Sequence, residues 1–265
     1  MATSKLRWGN YAELRPEQLA AIRKQTPVLY LPCGSIAWHG AHLPLGTDTL
    51  TVEAIGEQVV RRTGGVILPT FWLATSQTPR NDLLAVQQAT GMLMWNDLFD
   101  SIALAGWQVV VVLNGLTTTD QEQTLMQAAE RAMREHKLLV LAVPPLVLVD
   151  TTLMDQAALW ESSLLLSVRP SLVHLYALGD DEHALERNTV RGRDPRGAAS
   201  PSLGDTVMRM VVERLSTAVL DLLKNNDPAP LFALYQQRRE FLAVTTAAEQ
   251  QPQGLRKAPR TSRLS

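Results

Sequence analysis

Cysteine and histidine are scarce in this chain: one cysteine and five histidines in 265 residues. A single cysteine excludes an internal disulfide and fits a reducing compartment. The first residues, MATSKLRWGNYAELRPEQ, carry no apolar targeting stretch, so the expected location is the cytoplasm. Neither sign of charge is in excess: 25 Lys and Arg against 26 Asp and Glu leave a net charge of −1. No global field therefore draws the chain to nucleic acid or to an anionic membrane, and neither is an expected partner. Long hydrophobic runs are missing as well. The longest, residues 138–149, is interrupted by Pro144 and Pro145 and is too short to span a bilayer.

What is there is a 46% hydrophobic chain, long enough to bury one large core. Helical and strand patterns alternate along it. Residues 16–24 read as a helix with Pro16 in its first turn. Residues 27–31 read as a buried strand, and a helix capped at Thr47 or Asp48 runs to about Arg62, where Gly64-Gly65 ends it. Residues 66–73 read as a strand and 91–106 as a helix. Residues 108–113, QVVVVL, are β-branched and uncharged, too apolar to have a wet face. Residues 120–136 read as an amphipathic helix, 137–143 and 171–177 as strands, and 202–224 as a long helix with one apolar face. Trp72, Trp95, Trp107 and Trp160 fall in apolar segments and read as core. The alternation predicts an α/β fold, a mainly parallel sheet covered by helices. The expected organisation is one domain over residues 1–227, an appended helix over 228–244, and a disordered tail over 245–265, rich in Gln, Pro and basic residues.

The chemistry concentrates in residues 31–48, LPCGSIAWHGAHLPLGTD. Two histidines and an aspartate sit in a Gly/Pro-rich loop directly after an apolar run, where an α/β enzyme keeps its site. The stretch resembles the signature of the creatininase (creatinine amidohydrolase) family, written LPvGsxExHGpHLPLGTD. Further segments resemble the family in order. Asn114-Gly115 closes an apolar strand where the family reads NGHGGN. Asp181-Glu182-His183-Ala184 resembles its HAGExETS signature. Residues 194–205, DPRGAASPSLGD, resemble its DPxxATxexG segment.

The resemblance implies a three-layer α/β/α fold and a homo-oligomer, commonly a hexamer. It also implies a pair of divalent metals that activate a water against an amide or cyclic amidine carbon. The family's first signature supplies a glutamate, a histidine and a bridging aspartate. The second supplies a histidine, and a further carboxylate follows it or, in other branches, comes from the third. Here His39 and the bridging Asp48 are kept. The first glutamate is Ala37, the second-signature histidine is Leu116, the carboxylate after it is Thr118, and the third-signature glutamate falls on Asn188. Two ligands cannot hold two metals, since each catalytic cation needs about three protein ligands. His42, three residues past His39, could join His39 and Asp48 as a residual site for one zinc or manganese ion at most. Glu182 and His183 suit general acid/base work, and Trp38, Leu116, Thr118 and Asn188 would line a ligand pocket.

Two functions follow. The first is a creatininase-like protein without hydrolytic chemistry, serving as a small-ligand-binding, regulatory or assembly subunit. The alternative is an active amidohydrolase with a reduced or rebuilt metal site, cleaving a non-peptide, cyclic amide C–N bond. An unmetallated Asp48 would need a partner, and a protonated His39 or His183 is the natural one. Cys33 reads as a small core residue, with a nucleophilic role as the lesser alternative. The arginines 187, 191, 193 and 196 read as a solvated face that could also take an anionic ligand.

Overall fold

The computed structural model describes residues 6–77 and 83–249, with side chains to residue 245. Five strands form one fully parallel sheet in the order β1-β3-β2-β6-β7: β1 (Trp8–Asn10), β2 (Val28–Cys33), β3 (Gly65–Ile67), β6 (Val109–Asn114) and β7 (Leu139–Leu141). Two short strands, β4 (Ala74–Ser76) and β5 (Ala85–Gln87), pair apart from it. The two six-residue strands lie side by side at the centre, in register from Val28 opposite Val109 to Cys33 opposite Asn114. Every residue of both is buried. That is why VLYLPC and VVVVLN show no polar alternation: neither strand has a face in water.

Eight helices accompany the strands among the described residues: α1 (Pro16–Gln25), α2 (Thr47–Thr63), α3 (Gln88–Leu104), α4 (Thr119–His136), α5 (Leu159–Val168), the single turn α6 (Ala184–Arg187), α7 (Pro201–Asn225) and α8 (Ala229–Glu249). α2, α5 and α7 pack on one another, and α4 packs against both α3 and α8. The chain leaves β2 through α2 towards β3, and leaves β6 through α4 towards β7, on opposite sides of the central pair. Right-handed crossovers in opposite directions put their helices on opposite faces. The carboxyl ends of β2 and β6 therefore flank a switch point, the place where an open parallel sheet leaves a crevice for a ligand.

Glycines bring the helix close at that point. A Cβ at Gly34 would lie 2.4 Å from the Thr49 Cα, and one at Gly115 would lie 2.8 Å from the Asp48 carbonyl oxygen. Only glycine lets the ends of β2 and β6 approach the first turn of α2 so tightly.

Several expected elements differ in the structure. The strand expected over 66–73 stops at Ile67, because Pro69 has no N–H to give the ladder. The strand expected over 171–177 is two 3₁₀ turns, Pro170–Leu172 and Leu175–Leu178. α5 has no counterpart in the sequence reading. Its LWESSLLLSV does not segregate apolar from polar residues onto separate faces, which removes the periodic contrast that marks a surface helix. Trp95 and Trp107 are core, but Trp72 is half exposed. The appended helix runs past residue 244 to Glu249, and the tail from residue 250 on lies outside the described residues.

α8 closes the open side of β7. Its Tyr235 is fully buried, donates its hydroxyl to the Val140 carbonyl at 2.5 Å and accepts from the Ala142 N–H at 2.9 Å. An edge strand's free backbone groups are thus satisfied by one side chain. Tyr235→Phe leaves both groups buried without a partner. It is expected to lower unfolding stability by about 2 kcal/mol, read by urea denaturation; a loss below about 0.5 kcal/mol would show that the hydroxyl holds nothing.

Candidate functional site

Three side chains converge at the switch point. His39 comes from the loop after β2, Asp48 from the first turn of α2, and Glu161 from α5. One ligating atom of each lies within 4.8 Å of the others. His39 Nε2 is 3.1 Å from Asp48 Oδ1, and Ser35 Oγ donates to Asp48 Oδ2 at 2.5 Å. His39 and Asp48 are buried, while Glu161 is part-buried and accepts the Ala157 N–H at 2.6 Å. On the far side of His39, Nδ1 is 3.0 Å from the Ala37 carbonyl oxygen. A carbonyl only accepts, so Nδ1 carries a proton and Nε2 is the nitrogen turned to the carboxylates.

Electrostatics follow from the burial. Desolvation works against a charged His39, yet the Asp48 carboxylate outweighs it and holds the imidazole pKa above its ordinary value. Glu161 is pushed up, chiefly by desolvation and then by Asp48 and Asp155, against the pull of His39. Asp155 is pushed up to about 6 by burial, although it accepts the backbone N–H groups of Trp160 and Glu161. A cavity of about 40 Å³ touches Asp48, Asp155, Glu161 and Asn114, whose side-chain oxygen is buried without a partner. That is room for about one water molecule or ion.

Other positions singled out in the sequence separate into groups. Ala37 and Leu116, which stand where the resemblance expects a glutamate and a histidine, meet in one buried apolar cluster with Ala74 and Leu83. His42 does not join the cluster of His39, Asp48 and Glu161. Its Nε2 faces Ser162 Oγ at 3.1 Å, and burial lowers its pKa to about 4, so it is neutral and braces α5 beside Glu161. Asn188 is a clamp: its side chain accepts from the Ala41 N–H and donates to the Ala184 carbonyl, both at 2.8 Å. Trp38 and Thr118 line an outer cleft. Glu182 and His183 are not brought to the cluster. Both are exposed, and the His183 side chain, 71% accessible, has Glu186 as its nearest charge, 3.8 Å away.

Sequence reading missed Glu161, and a signal for it existed. The pattern HAGExETS can be laid on residues 183–190, which keeps His183, Ala184, Glu186 and Thr189 but puts Asn188 at the second glutamate. Laid on residues 156–163, QAALWESS, it loses the histidine but keeps Ala157, Glu161, Ser163 and a hydroxyl at Ser162. The second register is the one whose carboxylate reaches Asp48.

The fold and the cluster together define an α/β protein with a three-residue candidate cation site at the carboxyl ends of its central strands. Residues 12–219 match the family described as creatininase (creatinine amidohydrolase). Solved structures agree on the fold. One creatininase (creatinine amidohydrolase) superposes with a TM-score of 0.69 at 19% identity, over 82% of this chain and 97% of that one. A manganese form of creatininase and a creatininase variant complexed with creatine each give 0.67 at 19%, over 79% of this chain and 96% of theirs. Among curated proteins, none matches the chain. The chain belongs to the creatininase family. Among the described residues no helix is long and apolar enough to cross a membrane.

Cys33 has no part in the chemistry. It is fully buried at the end of β2, and burial, with Asp48 adding to it, pushes its thiol up to about 12. A thiol with so high a pKa stays protonated at pH 8, and its burial blocks access. Ellman's reagent at pH 8 is expected to leave the native chain unmodified and to titrate one thiol only after unfolding; rapid reaction of the native chain would contradict the placement.

Proposed function

We propose that this chain is a creatininase-family protein whose metal pair has contracted to a single cation site, and that the site acts on a non-peptide amide C–N bond. The observation that carries the reading is Glu161. It completes a His/Asp/Glu set on the side of the crevice that Ala37 and Leu116 leave open. One imidazole and two carboxylates suit one zinc or manganese ion and are too few for two. When bound, such an ion supplies Lewis-acid polarisation and an acidified water.

The remaining work falls to the chain itself. The Ala37 carbonyl holds the Nδ1 proton and so fixes which nitrogen of His39 faces the carboxylates. Ser35 holds the second oxygen of Asp48, and the Ala157 N–H holds one oxygen of Glu161. Asp155 touches both the small cavity and the outer cleft, so it stands where a proton must pass between reacting group and solvent. This position assigns acid/base work to Asp155 in preference to the exposed Glu182 and His183. By the family resemblance the chain forms a homo-oligomer, a hexamer; half-exposed Trp72 and exposed Leu93 and Leu104 offer it apolar contact surface.

A second reading, small-ligand binding without hydrolysis, is favoured by the apolar cluster around Leu116, which removes half of the family's machinery. Zinc competition against a chromogenic chelator distinguishes the possibilities. The unmodified chain is expected to hold close to one equivalent, and Glu161→Gln to weaken it at least about tenfold. Zinc affinity unchanged in Glu161→Gln would contradict the centre, while a chain that holds zinc and leaves creatinine and simple amides intact favours the binding reading.

A further inference from the structure

Outside the small cavity lies a cleft of about 450 Å³. It shares Thr117, Met154 and Asp155 with the inner cavity, so the two lie against one another. Its lining joins five parts of the chain: Trp38 from the loop after β2, residues 117–119 at the start of α4, the segment 151–156 with Asp155, the segment of Thr189 and Arg191, and Arg238 and Phe241 from α8. α8 begins at Ala229, so this wall lies outside the residues that match the family.

The charges in the lining are not balanced against one another. Arg238 is 3% exposed and is spent on Glu122: Nε and Nη2 donate to its two oxygens at 2.6 and 2.8 Å. Its Nη1 is buried without a partner, as is Thr118 Oγ1. Asp155 is committed to two backbone N–H groups. Arg191 differs from Arg187 and Arg196, which are paired, and from Arg193, which is also unpaired among the described residues but does not line the cleft. Arg187 is closed onto Asp181 and Arg196 onto Asp194, whereas the exposed Arg191 guanidinium has no hydrogen bond or ion pair among the described residues and lines the cleft. Trp38 and Phe241, each 37% exposed, add flat apolar surface.

From this we infer that the cleft is a recognition site for a small planar carboxylate, with Arg191 binding the anion and Phe241 of α8 and Trp38 packing on the planar part. The substrate class of the inner site is then an amide that also carries a carboxylate. The inference rests on the amide reading only for what lies at the inner end; the anion site does not depend on the cation. A guanidinium presents paired donors that match a carboxylate, and threonine hydroxyls supply further donors. An unpartnered donor in a concave site lined by aromatics is the arrangement that fixes a ligand's orientation.

The test uses benzoate and its neutral twin benzamide, titrated calorimetrically into the full chain with zinc and again with a chelator present. Benzoate is expected to bind at about millimolar affinity or better in both conditions, and benzamide at least about fivefold more weakly. Arg191→Ala should abolish the preference for benzoate, Arg191→Lys should restore part of it, and Phe241→Ala should weaken both probes. Both side chains are accessible, so these variants should fold, which circular dichroism checks. Failure of benzoate to bind, equal affinity for the two probes, or a preference that survives Arg191→Ala overturns the inference. Benzoate binding that vanishes with the chelator also overturns it, by placing the anion on the cation. Loss of the zinc centre in a separate titration would sink the amide reading while leaving this result standing.

Discussion

A carboxylate buried at the start of a helix, with an imidazole against it, is the constraint on which this site is built. Asp48 lies in the first turn of α2, where free N–H groups and the helix dipole favour negative charge. It is also 5% exposed, and a buried carboxylate without close partners would be costly. Ser35 takes one oxygen and His39 the other. Much of the local architecture serves that arrangement. Gly34 and Gly115 remove the side chains that would push α2 away from the strand ends, Ala37 turns its carbonyl to His39, and His42 and Ser162 brace the helix that brings in Glu161.

Around this pair the crevice has two unlike halves. On one, Ala37, Ala74, Leu83 and Leu116 form a dry patch where a cation would find no donor. On the other, His39, Asp48 and Glu161 bring one ligating atom each within 4.8 Å of the others, and Asp48 and Glu161 line a space of about one water. Ala37 and Leu116 are coherent as packing, because both belong to the same buried apolar cluster. The donor set at His39, Asp48 and Glu161 is equally coherent as a site for one ion. A centre reduced in this manner would keep polarisation and lose the second cation's clamp on the opposite oxygen.

The sequence shows much of this and hides a definite part. β2 and β6 are legible because strands buried on both faces must be continuously apolar, and α2 is legible from its TD start and its Gly64 end. HGAHLPLGTD places His39 and Asp48 at a strand end because the chemistry needs those residues in that order. Glu161 was not legible in the same way. It sits in a helix that does not segregate apolar from polar residues, and the glutamate pattern fits two registers whose difference only tertiary contact decides. His42 and Asn188 illustrate the reverse case: residues of ligand type, at family positions, that the fold uses for hydrogen bonds between loops. Trp72 read as core because its neighbours are apolar, yet it stands in the crossing after Pro69 with half its surface in solvent.

α8 adds a level that strand and helix periodicity did not assign to function. It satisfies the sheet edge through Tyr235, joins α4 through Arg238 and Glu122, and in doing so walls the cleft above the cluster. Stability and recognition are carried by successive turns of one helix. The central claim is narrower: one half of the crevice holds an ion and the other cannot. Anomalous diffraction from crystals soaked in zinc tests it directly. The account predicts one peak, at about 2.0–2.2 Å from ligand atoms of His39, Asp48 and Glu161. Two peaks about 3.5 Å apart, or none at this cluster, would contradict it.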